Sequence, residues 1–176
     1  IPNLMLYGSP GSGKTTVSRI LIDNIVENKS DLLILNGSSS TGIDMVRDLI
    51  ETFLQSRSFT GGDVKKIVYI DEADYLSHNA QAALKAITEE YTNVGRFIFT
   101  LNNPSKITPA LHSRFQSFEF KELPKDYIKT YIEKILKEEK IKYDKDIIDR
   151  TITMFFPDIR RIFSTIQSRV VDGELI

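Results

Sequence analysis

Short apolar, β-branched runs alternate with segments of helical period through the first two thirds of the chain. The runs are Leu4 to Tyr7, Leu32 to Leu35, Ile67 to Ile70, Arg96 to Leu101 and Ser117 to Phe120. Between them Thr15 to Glu27, Ile43 to Gln55 and Ala80 to Tyr91 read as helices, the last with Ala80, Ala83, Leu84, Ile87 and Tyr91 on one face. This alternation predicts an α/β architecture, a parallel sheet of about five strands flanked by helices. After Pro124 the alternation stops. Three apolar stripes of helical period follow: Tyr127, Ile128, Tyr131, Ile132, Ile135 and Leu136; then Ile148, Ile152 and Phe155; then Ile159, Ile162, Phe163, Ile166 and Val170. Asp158, after the helix-interrupting Pro157, is the expected N-cap of the third. The expected division is therefore an α/β domain over residues 1–122 and a small three-helix domain over 123–176.

Composition narrows the class. With 41% hydrophobic and 27% charged residues in 176, the chain has the make-up of a soluble globular protein. No apolar run approaches the ~18 residues needed to cross a bilayer. The absence of cysteine excludes disulfides and thiolate zinc sites and favours a cytoplasmic setting. Basic and acidic residues nearly cancel, 23 against 24, so any nucleic-acid contact has to be local. The chain begins at Ile1 with no signal-like stretch, which suggests an excised piece of a larger protein.

Two segments carry chemistry. Gly8-Ser9-Pro10-Gly11-Ser12-Gly13-Lys14-Thr15 matches G-x-x-x-x-G-K-[ST] and lies between an apolar strand and a helix, where such a loop wraps a phosphate with its backbone N–H groups. Lys14 is expected to reach the β and γ phosphates of ATP and the Thr15 hydroxyl to hold Mg²⁺, with Thr16 completing the nucleotide-binding set. The second segment, Lys66 to Asp74, is an apolar strand that delivers carboxylates at its C-terminal end. Asp71 is the candidate Mg²⁺ ligand through water, and Glu72 the candidate for polarising an attacking water, a group that a hydrolase needs and a small-molecule kinase does not. Asp74 reads as a solvated helix-start residue.

Further motifs sharpen the picture. They are Ile70-Asp71-Glu72-Ala73-Asp74, Asn79 to Leu84, Arg96-Phe97-Ile98-Phe99, Leu101-Asn102-Asn103, Ser113-Arg114-Phe115 and Asp158-Ile159-Arg160. Together they resemble the AAA+ ATPases, P-loop NTPases with a RecA-like core and a helical lid, and among them the small subunits of sliding-clamp loaders, over essentially the whole chain. Asn36-Gly37-Ser38 and Phe156 to Arg160 are most similar to the T4-like bacteriophage loader subunit, of the replication factor C small-subunit type. The resemblance implies that Asn102 orients water, that Arg160 senses the γ phosphate in cis from the lid, and that Arg114 is an arginine finger acting on ATP held by a neighbouring subunit. It also implies that Thr41, Gly42 and Arg47, with Ser77 at the next helix start, meet the DNA backbone. Phe115 and Thr41 stand where the family carries cysteine and arginine, the first an expected packing change and the second a weaker DNA contact.

The implied activity is DNA-stimulated ATP hydrolysis that loads a sliding clamp on primer-template DNA, with ATP and Mg²⁺ as cofactors. The implied partners are the other loader subunits, in a hetero-pentamer held by a collar domain that this chain lacks, the clamp and the DNA, with no membrane. The location would be the cytoplasm, that of an infected bacterial host if the chain is phage-encoded. Two other readings share the ATPase motifs: another AAA+ DNA-remodelling machine, such as a branch-migration motor or helicase loader, and a nucleotide-binding scaffold subunit. His78 and His112 show no metal or nucleophile pattern, and Tyr127 and Tyr131 read as core of the helical domain.

Overall fold

The computed structural model describes residues 1–39, 43–57 and 65–176, with backbone alone for 43–45. The expected α/β alternation is present: β1 (Leu4–Gly8), α1 (Lys14–Ile25), β2 (Leu32–Asn36), α2 (Ile43–Gln55), β3 (Lys66–Asp71), α3 (His78–Glu90), β4 (Gly95–Leu101), α4 (Pro109–His112) and β5 (Gln116–Phe120). The strands form a five-stranded sheet in the order β2-β3-β4-β1-β5. Pairing is parallel between β2 and β3, β3 and β4, and β1 and β4.

Strands covered on both faces read as continuous apolar runs, and β3 and β4 are such strands. Their side chains alternate between two cores. Val68, Ile70, Phe97 and Phe99 pack with Ile50 and Leu54 of α2 and Leu84 and Ile87 of α3. Ile67, Tyr69 and Ile98 face the other way and pack with Leu4 and with Ile22 of α1. Phe115 joins the first core, its ring 4.3 Å from that of Phe99, so it acts there as a packing residue.

The chain divides into two compact units, residues 1–8 with 13–119, and residues 9–12 with 120–176. The second holds α5 (Lys125–Glu138), α6 (Lys145–Phe155) and α7 (Ile159–Ser168). Their stripes meet in a core of Ile128, Ile132, Leu136, Ile148, Ile152, Ile162 and Ile166. Asp158 caps α7, its carboxylate accepting the Arg161 N–H at 3.0 Å. A small sheet is added, β6 (Lys142–Tyr143), β7 (Val170–Val171) and β8 (Glu174–Leu175) in the order β6-β8-β7. Two-residue strands are too short to show a period, which is why the sequence pattern passes over them.

Two expectations change. Tyr127 and Tyr131 are not core: they are 62% and 50% exposed, on a groove of about 330 Å³ shared with Leu123, Ile128, Ile159 and Phe163. Their stripe is wider than the face α5 buries. Asp74 is not solvated: it is 6% exposed, and its Oδ2 accepts the Asn103 N–H at 3.2 Å. The short 3-10 turn at Ala73–Tyr75 tucks it beneath the end of β4.

Candidate nucleotide-binding site

Parallel registers pair Tyr7 with Leu101, Ile70 with Phe99 and Asn36 with Asp71. The C-terminal ends of β1, β3 and β4 therefore share one edge of the sheet, and Gly8, Asp71, Glu72 and Asn102 arrive there together. Ligands of open α/β sheets bind outside that edge.

Gly13 starts α1 with φ +95°, a left-handed conformation in which a side chain is strained. It offers no side-chain cap, and the first turn of α1 carries no acidic residue, whereas Ser77, Asp144 and Asp158 cap α3, α6 and α7. An uncapped N-terminus favours an external anion. Lys14 is 7% exposed and its Nζ donates to the Gly8 carbonyl at 2.9 Å, drawing the loop's start over its end. Thr16 is exposed on α1.

The Thr15 hydroxyl stands 3.4 Å from Asp71 Oδ2 and 3.5 Å from Oδ1. A hydroxyl facing a carboxylate is a hard oxygen pair of the kind Mg²⁺ takes beside phosphate oxygens. With the uncapped helix and the lysine, this donor set fits MgATP. Asp71 Oδ1 also accepts the Glu72 N–H at 3.1 Å and the Thr100 hydroxyl, and the Tyr69 hydroxyl lies 3.4 Å behind Thr100. Burial, the largest cause, raises the Tyr69 phenol above its ordinary value, so it is a neutral hydrogen-bond donor.

Glu72 adopts φ 55°, ψ 42°, a left-handed conformation rare for a glutamate. Gly37 makes room for that turn. A Cβ there would fall 2.5 Å from the Glu72 carbonyl oxygen, and the Gly37 N–H donates to the Asp71 carbonyl at 2.8 Å. Asn102 is exposed immediately after β4.

In the second unit, residues 9–12 of the loop, Ser9, Pro10, Gly11 and Ser12, lie with the helices. Gly11 has φ +75°, and a Cβ on it would fall 2.5 Å from Asp158 Oδ1 and 3.2 Å from the Arg160 backbone nitrogen. Arg160 is exposed in the first turn of α7.

Arg114 belongs to the opposite edge of the sheet. Its carbonyl accepts from Asn3 Nδ2 at 3.3 Å just before β1 begins, and its exposed guanidinium pairs with Glu89 of α3. Of the expected DNA contacts, Thr41 and Gly42 lie outside the described residues. Arg47 is exposed on α2 and donates to Glu51 at 2.8 Å. Ser77 is exposed and its hydroxyl accepts the Ala80 N–H at 3.2 Å. Val46 of α2 and Ser77 line the same cleft, of about 150 Å³.

Sequence reasoning missed Gly37, Tyr69, Thr100 and Gln81. Gln81 is 1% exposed and bonds the Leu76 and Lys106 carbonyls and the Thr108 N–H. The available signal was a polar residue inside an otherwise apolar period, such as Thr100 within Phe97 to Leu101.

Comparison with known proteins adds to this geometry. Residues 4–123 match the family described as the ATPase family associated with various cellular activities (AAA). The chain is similar to replication factor C subunit 3 of Saccharomyces cerevisiae, 37% identical over 170 residues that cover 96% of this chain and 50% of that protein. It is 36% identical over 172 residues to replication factor C subunit 5 of Homo sapiens, covering 96% and 50%. With the replication factor C small subunit of Archaeoglobus fulgidus the identity is 35% over 178 residues, covering 100% and 56%. The chain spans about half the length of these relatives.

Proposed function

The chain belongs to the AAA ATPase family, and from that premise we propose that it is the ATPase module of a DNA polymerase sliding-clamp loader, coupling ATP binding and hydrolysis to loading of the clamp on primer-template DNA. The observation that most supports this is the sheet-edge cluster of Lys14, Thr15 and Asp71, with the Thr15 hydroxyl 3.4 Å from the Asp71 carboxylate. The printed names of the relatives, replication factor C subunits, supply the choice of machine. In this reading residues 1–122 form the ATPase domain and 123–176 the lid.

Each residue has a part. The loop from Gly8 through Ser9, Pro10, Gly11, Ser12 and Gly13 to Thr16 wraps the phosphates, and Lys14 exchanges the Gly8 carbonyl for a phosphate oxygen. Thr15 and Asp71 face the cation, and Mg²⁺ when bound neutralises charge on the phosphate oxygens. Glu72 takes a proton from the attacking water, Asn102 orients that water, and Arg160 contacts the γ phosphate within the chain. Arg114 stabilises transition-state charge in a neighbouring subunit's site. Thr41, Gly42, Arg47 and Ser77 meet DNA phosphates, which positions the duplex without reading sequence. The partners are other loader subunits in a hetero-pentamer, the clamp and primed DNA, in the cytoplasm, that of an infected bacterial host for a phage protein.

The test is ATP turnover of the protein with its companion subunits, with and without clamp and primed DNA. Stimulation by clamp and primed DNA together is expected. Stimulation by duplex alone, with no response to a clamp, would assign the chain to a different AAA machine.

A further inference from the structure

We infer that Thr100 and Tyr69 are positioning residues that hold the Asp71 carboxylate facing the Thr15 hydroxyl, so that this pair meets a nucleotide-bound divalent cation ready-made. The inference rests on the reading of Asp71 as the cation-facing carboxylate.

Proton bookkeeping gives the chain a direction. An ionised carboxylate only accepts, so the single proton of the Thr100 hydroxyl goes to Asp71 Oδ1. Thr100 Oγ1 is then left as an acceptor, and the Tyr69 hydroxyl, 3.4 Å away, is the donor to it. Oδ1 takes a second donor in the Glu72 N–H at 3.1 Å. The Thr15 hydroxyl faces both carboxylate oxygens, 3.5 Å from Oδ1 and 3.4 Å from Oδ2. The Thr100 hydroxyl and the Glu72 N–H, both on Oδ1, fix the plane of the carboxylate and leave Oδ2 the less engaged oxygen.

Register explains the convergence. Ile70 pairs with Phe99, so Asp71 and Thr100 follow as neighbours, and Tyr69 shares its strand face with Asp71 two residues on. Tyr69 and Thr100 are 2% and 1% exposed, beside Ile67, Val68 and Ile70 in one strand and Phe97, Ile98 and Phe99 in the other. Phenylalanine and valine would fill the same space without burying two hydroxyls, a burial that costs free energy unless each is bonded. What the hydroxyls add over those residues is their grip on Asp71. Partners behind a metal-facing group set its orientation, and losing one typically weakens metal affinity by about 10–100-fold.

The experiment measures binding, not turnover. A fluorescent N-methylanthraniloyl ATP analogue is titrated onto the protein at increasing Mg²⁺ and, separately, in EDTA, for wild type, Thr100→Val, Thr100→Ser, Tyr69→Phe and Asp71→Asn. Thr100→Val is expected to raise the Mg²⁺ needed for half-maximal binding about tenfold, with affinity in EDTA unchanged. Thr100→Ser, which keeps the hydroxyl, is expected to titrate as wild type, and Tyr69→Phe to shift in the same direction by less. Equal titration of Thr100→Val and wild type overturns the inference, as does an equal loss with and without Mg²⁺, which marks a purely structural role. If Thr100→Val does not fold, an unshifted Tyr69→Phe overturns it. Asp71→Asn separates the two levels: a shift there beside a silent Thr100→Val refutes the positioning role alone, whereas a silent Asp71→Asn refutes the reading of Asp71 and the inference with it.

Discussion

Gln81 gives the most exacting test of how the site is held. One buried side chain serves three backbone groups: Nε2 donates to the Leu76 carbonyl at 3.1 Å and the Lys106 carbonyl at 3.0 Å, and Oε1 accepts the Thr108 N–H at 2.7 Å. Leu76 ends the turn that follows Asp71 and Glu72, and Lys106 and Thr108 lie in the segment after Asn102. Gln81→Leu keeps the approximate volume and orphans all three groups. Each buried unsatisfied group costs about 1–3 kcal/mol. The bonds are only partly buried, so the lower figure applies to each, and the sum is about 3 kcal/mol. For a chain of this size that corresponds to a fall of about 6–12 °C in Tm. Thermal and urea unfolding read the loss, and hydrogen exchange at the Thr108 amide locates it. Gln81→Glu should be at least as damaging, since it loses both donors and sets a carboxylate against two carbonyls. A loss below about 1 kcal/mol for both variants, with the Thr108 amide still protected, would show that the junction does not carry the loops.

Four other outcomes follow from the geometry. Gly37→Ala places a Cβ 2.5 Å from the Glu72 carbonyl oxygen, a backbone atom that cannot swing aside, so urea unfolding should show a loss of about 1–3 kcal/mol. Glu72→Gly relieves a left-handed glutamate, worth ~1–2 kcal/mol against ~0.5–1 for the added chain freedom; stability should hold or rise slightly while steady-state hydrolysis collapses. Under the proposed function, Arg114→Ala should leave nucleotide binding by the isolated chain unchanged and slow turnover in the complex with companion subunits by about 10³–10⁵, read by phosphate release. Burial depresses the Lys66 ammonium below its ordinary 10.5, outweighing the attraction of Asp31. Between that lowered value and 10.5 the unfolded chain binds a proton the folded one has released. Stability therefore rises with pH across that window and the gain is lost as pH falls through the lowered value. Urea midpoints of Lys66→Met, followed over the same window, should lack the rise.

What could be read from the sequence was local. The strand, loop and helix from Leu4 to Ile25 declare themselves because glycine, lysine and threonine spacing and apolar period all lie within one stretch of chain. The burial of Asp74 and the exposure of Tyr127 could not be read there, because each depends on which face a turn or helix presents after packing. The Thr100 and Asp71 contact spans 29 residues and the Thr15 and Asp71 contact spans 56. No periodicity carries information over such separations; the parallel register does. Gly37 was legible only as part of the Asn36-Gly37-Ser38 motif, since its need for hydrogen in place of a side chain comes from the Glu72 carbonyl beside it.

The same register bears on why hydrolysis should need more than one subunit. Asn3 stands before β1 and Gly8 closes it. Arg114 is tied to the Asn3 end, through Asn3 Nδ2 to its carbonyl at 3.3 Å and through the Gln116 N–H to the Asn3 carbonyl at 2.8 Å. Five strand residues at about 3.3 Å each separate that end from the phosphate loop by roughly 16 Å. An arginine side chain does not bridge such a gap through a packed sheet. Its guanidinium rests on the exposed Glu89, a pairing of a kind that contributes little at a protein surface and is readily exchanged for a phosphate. If Arg114 acts on ATP, the ATP is another chain's. In the proposed clamp-loader reading, assembly then becomes a condition of turnover, and ATP stays bound in each subunit until the companion subunits are in place.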